Sequence, residues 1–287
     1  MYNTRMNNRQ GSKIDENSIS KVRINIPVAK DTLLEKVLAQ VNSNTEIKTL
    51  WRIMNVMAID RLSMSDHGPT HFNIVANNGM KIAKILEKHK IPMSVVKDFG
   101  LTNDHAETII FLACIMHDLG MSIHRQGHEE FSLFIARDLM KEILSFLPVE
   151  ERMVVISEVS HAIISHRAYG KPSTLEAGIM RMADAIDMGK GRSRVTYTRG
   201  ELNIFSESDL AISSVEILDG KDRQSLASQS SGKPVEIRIH MTNPAGVFQV
   251  DDIMTEKLKG SNLEKYITIT AYILKDGKEK LYKEYNL

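Results

Sequence analysis

Apolar positions in the first two thirds of the chain repeat with a helical period, and those in the last third alternate with a period of two. Leu33, Leu34, Val37, Leu38 and Val41 fall at i, i+1, i+4, i+5 and i+8, which predicts a helix with Asp31 as its N-cap. The segment "IKTLWRIMNVMAIDRL" predicts a second helix. A third opens at "DHGPTHFNIV", where Pro69 suits the first turn and Asp66 or His67 lies just outside. A near-continuous apolar run, Ile109 to Met116, ends abruptly in "HDLG", with Gly120 as the residue that stops the helix. Beyond residue 195 the strands "VEIRIHM" and "YITITAYIL" alternate, "KDGK" predicts a hairpin turned at Asp276-Gly277, and "VDDIMTEKLKG" predicts a short helix stopped by Gly260.

The fold class expected is therefore mainly α, a helical core followed by a smaller α+β domain. Residues 1–28 read as a polar N-terminal arm, mobile or loosely docked, 29–194 as the helical domain and 195–287 as the α+β domain. The "GKGRSR" stretch lies near the junction of the last two. The role of residues 195–287, oligomerisation or regulation, is left open by the pattern.

A chain of 287 residues with 42% hydrophobic and 25% charged residues has an ordinary globular composition. Its formal net charge of +1 provides no field to recruit nucleic acid or a membrane surface. No apolar run approaches the roughly 20 residues that span a bilayer. The start, "MYNTRMNNRQGSKIDENS", lacks the apolar centre of a secretory signal, and the single cysteine, Cys114, has no intrachain partner, so a reducing, cytoplasmic location is expected.

Histidine carries the chemical information, since nine of the ten lie between His67 and His166. His71 shares a helical face with Ile74, Val75, Asn78, Ile82 and Ile85. His128 precedes Phe131 and Ile135 on an apolar stripe, and His166 follows Val159 and Ile163 on another. His161 is turned well away from His166 on the same helix, while His89, His105 and His240 sit in polar settings and read as solvated. One inward histidine is most simply a core residue with one hydrogen bond. Three from separate helices, with His117-Asp118 ending a fourth, point instead to a shared divalent ion, because neutral imidazole and carboxylate are the usual ligands. Downstream, Asp184 and Asp187 flank the buried stripe of "LEAGIMRMADAID", and periodicity does not choose between them.

In this order, a helix opening "HFNIVA", then "HDLG", "AIISH" and "MADAID" resembles the HD-domain metal-dependent phosphohydrolase superfamily over residues 50–190. The resemblance implies an all-helical core with the metal between helices and His71, His117, Asp118 and Asp184 as primary ligands, which selects Asp184 over Asp187. His128, with Ser132 four residues on, and His166 match the two additional histidines of two-metal subgroups, with Asp118 as the bridge. "SHRAYGKPS" departs from the signature of the cyclic-di-GMP phosphodiesterase subgroup and disfavours that substrate. The stretch "AIISHRAYGKPSTLEAGIMRMADAID" is closer to HD hydrolases of dinucleoside polyphosphates.

The function implied is hydrolysis of a phosphate mono- or diester of a nucleotide, using one or two divalent transition metal ions whose identity (Mn, Fe, Co, Ni, Zn or Mg) the ligands do not distinguish. Asp118 would orient the nucleophile, and His124 or His128 would donate a proton. Arg125, Arg167 and Arg192 stand near the presumed ligands as phosphate partners. The alternative is a non-catalytic, metal-stabilised module that binds a nucleotide effector or a protein partner. A homo-oligomer formed through the alternating strands is a further expectation.

Overall fold

The computed structural model describes residues 19–167, 169–188, 208, 210–221, 232–251, 255–275 and 278–285. The first half is a layered helical bundle: α1 (Leu33–Ser43), α2 (Thr45–Asn55), α3 (Pro69–Lys88), α4 (Ser94–Phe99), α5 (Asn103–Met116), α6 (His128–Ile143), α7 (Val149–Ser165) and α8 (Leu175–Ala185). α2 runs into a wider π-type turn, Val56–Arg61, and a single 3₁₀ turn, Leu119–Ser122, links α5 to α6.

α5 is the axis of the bundle. Every residue from Ile109 to Met116 is fully buried, which a helix apolar on all sides requires. It is enclosed by α1, α3, α7 and α8. Its last carbonyls would be orphaned by the helix end, and side chains satisfy them. Trp51 Nε1 donates to Ile115 O at 3.0 Å, and His117 Nδ1 donates to Cys114 O at 3.0 Å.

Several local expectations change. Thr32, not Asp31, caps α1: its hydroxyl accepts the Glu35 N–H at 3.1 Å, while the Glu35 carboxylate accepts the Asp31 N–H at 2.8 Å. Asp104 supports the same helix start from α5, accepting the N–H groups of Leu33 and Leu34. Ile74 is 40% exposed although it shares the His71 face. The end of the N-terminal arm is docked rather than loose. Ile24 and Ile26 are buried, and the Ile24 backbone makes two hydrogen bonds of 2.9 Å with the Asn42 side chain. Residues 1–18 lie outside the described residues.

The C-terminal part is a four-stranded sheet of β1 (Ile212–Asp219), β2 (Val235–Met241), β3 (Ile267–Lys275) and β4 (Lys278–Tyr285), in the order β1-β2-β3-β4. β1 and β2 are antiparallel, β2 and β3 parallel, β3 and β4 antiparallel. Lys275 pairs with Lys278, so β3 and β4 form the expected hairpin; its turn residues lie outside the described set. A parallel pair needs a crossover, and residues 242–266 supply it through two short helices, α9 (Gly246–Gln249) and α10 (Thr255–Leu258). Gly260 follows α10 with φ +78°, as the stop predicted there. Among the described residues, no helix is long and apolar enough to cross a membrane.

The sheet docks on the bundle through specific polar contacts. Asp219 at the end of β1 pairs with His89 at 2.7 Å and Lys88 at 2.8 Å, both just past or at the end of α3. These contacts correct the reading of His89 as solvated. His105 and His240 are likewise paired, with Glu151 at 3.2 Å and Glu279 at 2.5 Å.

Candidate metal centre

Four imidazoles converge beside the C-terminal end of α5, and each is turned by a hydrogen bond on its outer nitrogen. His117 Nδ1 faces Cys114 O at 3.0 Å, His128 Nδ1 faces Arg125 O at 2.9 Å and His166 Nδ1 faces Ile163 O at 2.6 Å. In all three the partner is the carbonyl three residues earlier. A carbonyl oxygen only accepts, so each ring donates from Nδ1 and turns Nε2 inward; burial favours a lone pair there at His117 and His166, while at His128 burial is outweighed by Asp118, which raises the pKa. His71 follows the same rule with a carboxylate: its Nδ1 lies 2.5 Å from Asp187 Oδ2.

The inner nitrogens point at one another and at two carboxylates. His71 Nε2 and His117 Nε2 are 3.3 Å apart. Asp184 Oδ1 is 3.6 Å from His71 Nε2 and 3.7 Å from His117 Nε2. Asp118 divides its two oxygens, Oδ2 lying 3.5 Å from His117 and Oδ1 lying 2.9 Å from His128 and 3.8 Å from His166. The His128 nitrogen, although close to that oxygen, is outside hydrogen-bond angles and has no hydrogen-bond partner. Lone pairs facing each other in a buried pocket are unfavourable unless a cation lies between them. Two overlapping sets, His71–His117–Asp184 and His117–Asp118–His166, each place their ligand atoms within 4.8 Å of one another. The donor set fits a divalent ion.

Local structure explains why these side chains arrive here. The turn into α3 is braced by Asp66, whose Oδ1 accepts the N–H groups of Gly68 at 2.9 Å and His71 at 3.3 Å. Asn55 in turn donates to Asp66 Oδ2 and accepts the His67 N–H. Ser132 joins the other two segments: its hydroxyl accepts the Gly120 N–H at 2.8 Å and lies 2.7 Å from the carbonyls of both His117 and His128. Gly120 is therefore required by close approach rather than as a helix stop, since a Cβ there would stand 2.0 Å from His128 O. α5 itself ends at Met116.

Burial sets the electrostatics. It pushes the His117 imidazole below its ordinary pKa against the opposing pull of Asp118 and Asp184, and pushes His166 well below it. Both rings are neutral at pH 7, the form that ligates. Burial alone would raise Asp118, but the surrounding imidazoles, His117 first, hold its carboxyl well below the usual range.

Beside the histidines lies a cleft of about 630 Å³ whose walls include His67, Asp118, Arg125, His128, His166, Arg167, Asp184, Asp187, Gln249 and Lys257. Of the residues singled out from the sequence, His71, His117, Asp118, His128, His166 and Asp184 come together, and Arg125 and Arg167 line the cleft. His161 stays apart, accepting the Ser173 N–H at 2.9 Å. His124 is also apart: it is exposed, does not line the cleft, and its ring meets the Gln126 backbone at 3.1 Å. Arg192 lies outside the described residues. Sequence reasoning missed His67, which is buried with Nδ1 2.8 Å from Ser65 O, and it missed Lys257 and Gln249 altogether. Lys257 Nζ donates to His166 O at 2.7 Å and lies 3.2 Å from Asp184 Oδ2. Nothing in the local pattern "MTEKLKG" marks that lysine, because its position comes from the crossover.

A helical core that gathers histidines and aspartates from α3, the end of α5, α6, the end of α7 and α8 defines an HD domain, and the HD domain family model matches residues 70–189. The chain belongs to this family. It is 37% identical over 234 residues to an uncharacterized protein of Methanocaldococcus jannaschii, covering 81% of this chain and 86% of that relative. No solved structure matches the chain significantly.

Proposed function

We propose that the protein is a metal-dependent phosphohydrolase that cleaves phosphate mono- or diesters of a nucleotide. The observation that carries this reading is the shared orientation of four imidazoles, each with Nδ1 on an outward acceptor and Nε2 turned to the carboxylates. A core histidine kept for packing has no need of that arrangement four times over.

His71, His117, Asp118 and Asp184 would hold the first ion, and His128 and His166 would serve a second, with the two Asp118 oxygens directed to different imidazoles. A divalent ion so held would supply Lewis acidity and bring the pKa of water from 15.7 to about 7. The protein's own groups do the rest. Asp118 orients the attacking water and accepts its hydrogen bond. Arg125 and Arg167, both lining the cleft, bind phosphate oxygens. His124 takes no part.

Purified protein should retain a transition metal and release phosphate in a screen of nucleotides run with Mn, Co, Ni and Mg. His117→Ala and Asp118→Ala variants that keep both metal and activity would overturn the assignment. Retained metal with no hydrolysis of any substrate would favour the non-catalytic effector-binding module.

A further inference from the structure

Among the described residues, Lys257 is the one cation on the cleft wall supplied by the crossover between β2 and β3 rather than by the helical bundle. Its side chain is 13% exposed, and Nζ is anchored twice, to His166 O and to Asp184 Oδ2. An ammonium has three N–H donors, and these contacts use two. The anchored oxygen of Asp184 is the one turned away from His71 and His117; Oδ1 is the one that faces them.

We infer that Lys257 completes the site, fixing Asp184 so that only Oδ1 faces the imidazoles and giving its third N–H to a phosphate oxygen bound in the cleft. The C-terminal domain is then a constituent of the site, not an appended module. This rests on the phosphohydrolase reading above and names a residue outside the segment that carries the HD match, which ends at residue 189.

The crossover is built to hold that lysine in place. Arg181 of α8 donates to Gly170 O and to Glu256 O, the latter at 3.2 Å, directly beside Lys257 in the chain. Asn262 donates to Pro172 O at 2.6 Å. Gly178 of α8 approaches the crossover so closely that a Cβ there would meet Ser261 O at 2.1 Å. These contacts fix α10 and the residues just after it against α8, which carries Asp184, and against the loop before it.

The test uses the full-length protein with Mn²⁺ and inorganic phosphate as probes, followed by calorimetric titration. Lys257→Met should take up Mn²⁺ with wild-type stoichiometry, while the Mn²⁺-loaded variant should bind inorganic phosphate about 10-fold or more weakly, as expected when one charged hydrogen bond is lost. Lys257→Arg should recover most of that affinity. Phosphate affinity within about two-fold of wild type in Lys257→Met would overturn the role, two-fold being well under the effect of a single charged hydrogen bond. Loss of Mn²⁺ uptake in Lys257→Met would overturn the role as stated, since stoichiometric uptake is expected of it. Should Lys257→Met fail to fold, Lys257→Gln, which keeps a polar hydrogen-bonding end without the charge, is read by the same criteria. A wild-type protein that takes up no divalent ion overturns this role and the phosphohydrolase reading together. A wild type that binds Mn²⁺ and phosphate, matched by Lys257→Met, overturns the role of Lys257 alone.

Discussion

His71 and Asp187 stand 116 residues apart in the chain and 2.5 Å apart in the fold, Nδ1 to Oδ2. The aspartate is the outer partner of the imidazole, and Asp184, one turn earlier, is the carboxylate that faces the inner nitrogen. The two carboxylates of "MADAID" thus hold opposite sides of one ring.

Removing the outer partner should weaken metal binding without abolishing it. Asp187→Asn is expected to lower metal affinity about 10- to 100-fold, the usual cost of losing such support. Asp184→Asn should cost more, since it removes a ligand. Metal titration of the two variants checks the order, and equal losses would contradict the division of roles.

Gly120→Ala should damage the site through the backbone. The added methyl meets His128 O at 2.0 Å and Ser132 N at 2.7 Å, so the 3₁₀ turn and α6 must separate. Overpacking of this kind costs about 1–3 kcal/mol. A lowered Tm together with reduced metal content is expected, and an unchanged melting curve would refute it.

His124→Ala serves as the contrasting case. The ring is exposed and meets only its neighbour's backbone among the described contacts, so stability should change by less than about 0.5 kcal/mol and metal content should not change. Loss of metal in this variant would place the residue in the centre after all.

Acid should act on the contact between the sheet and the helical bundle through Asp219. Burial works to raise this carboxyl, but Lys88 and His89 outweigh it and hold the pKa far below the ordinary carboxylate range. A depressed folded-state value stabilises the protein above the unfolded pKa, about 3.9 for aspartate, and that stabilisation is lost as pH falls through the folded value. Asp219→Asn should therefore melt at a lower temperature than wild type at neutral pH, with the gap closing as pH drops below the ordinary carboxylate range. A gap independent of pH would show that the ion pairs do not matter.

Much of this candidate centre is legible in the sequence because its inward side chains follow helical periodicity. The inward faces of His71, His128 and His166 come from local spacing, and the abrupt end of the apolar run marks His117 and Asp118. What periodicity could not do was separate Asp184 from Asp187, because one turn of helix puts both near the same edge and only the position of the His71 ring distinguishes them. The role of Gly120 was misread for a related reason: a close approach to another helix looks, in sequence, like a helix terminator. Lys257 was out of reach, since a lysine in a short polar helix acquires its position from a parallel strand crossover. His89 looked solvated until β1 brought Asp219 to it.

That crossover also imposes an order in time. Lys257 reaches partners 73 and 91 residues upstream, so both segments it touches are made before it. A chain whose synthesis has passed α8 but not the crossover holds His71, His117, His128 and His166 but lacks Lys257 and Gln249 of the cleft wall. The cleft is thus closed by a segment made after all of the converging histidines and aspartates, and a product stopped before the crossover is a cluster of imidazoles and carboxylates with an open side.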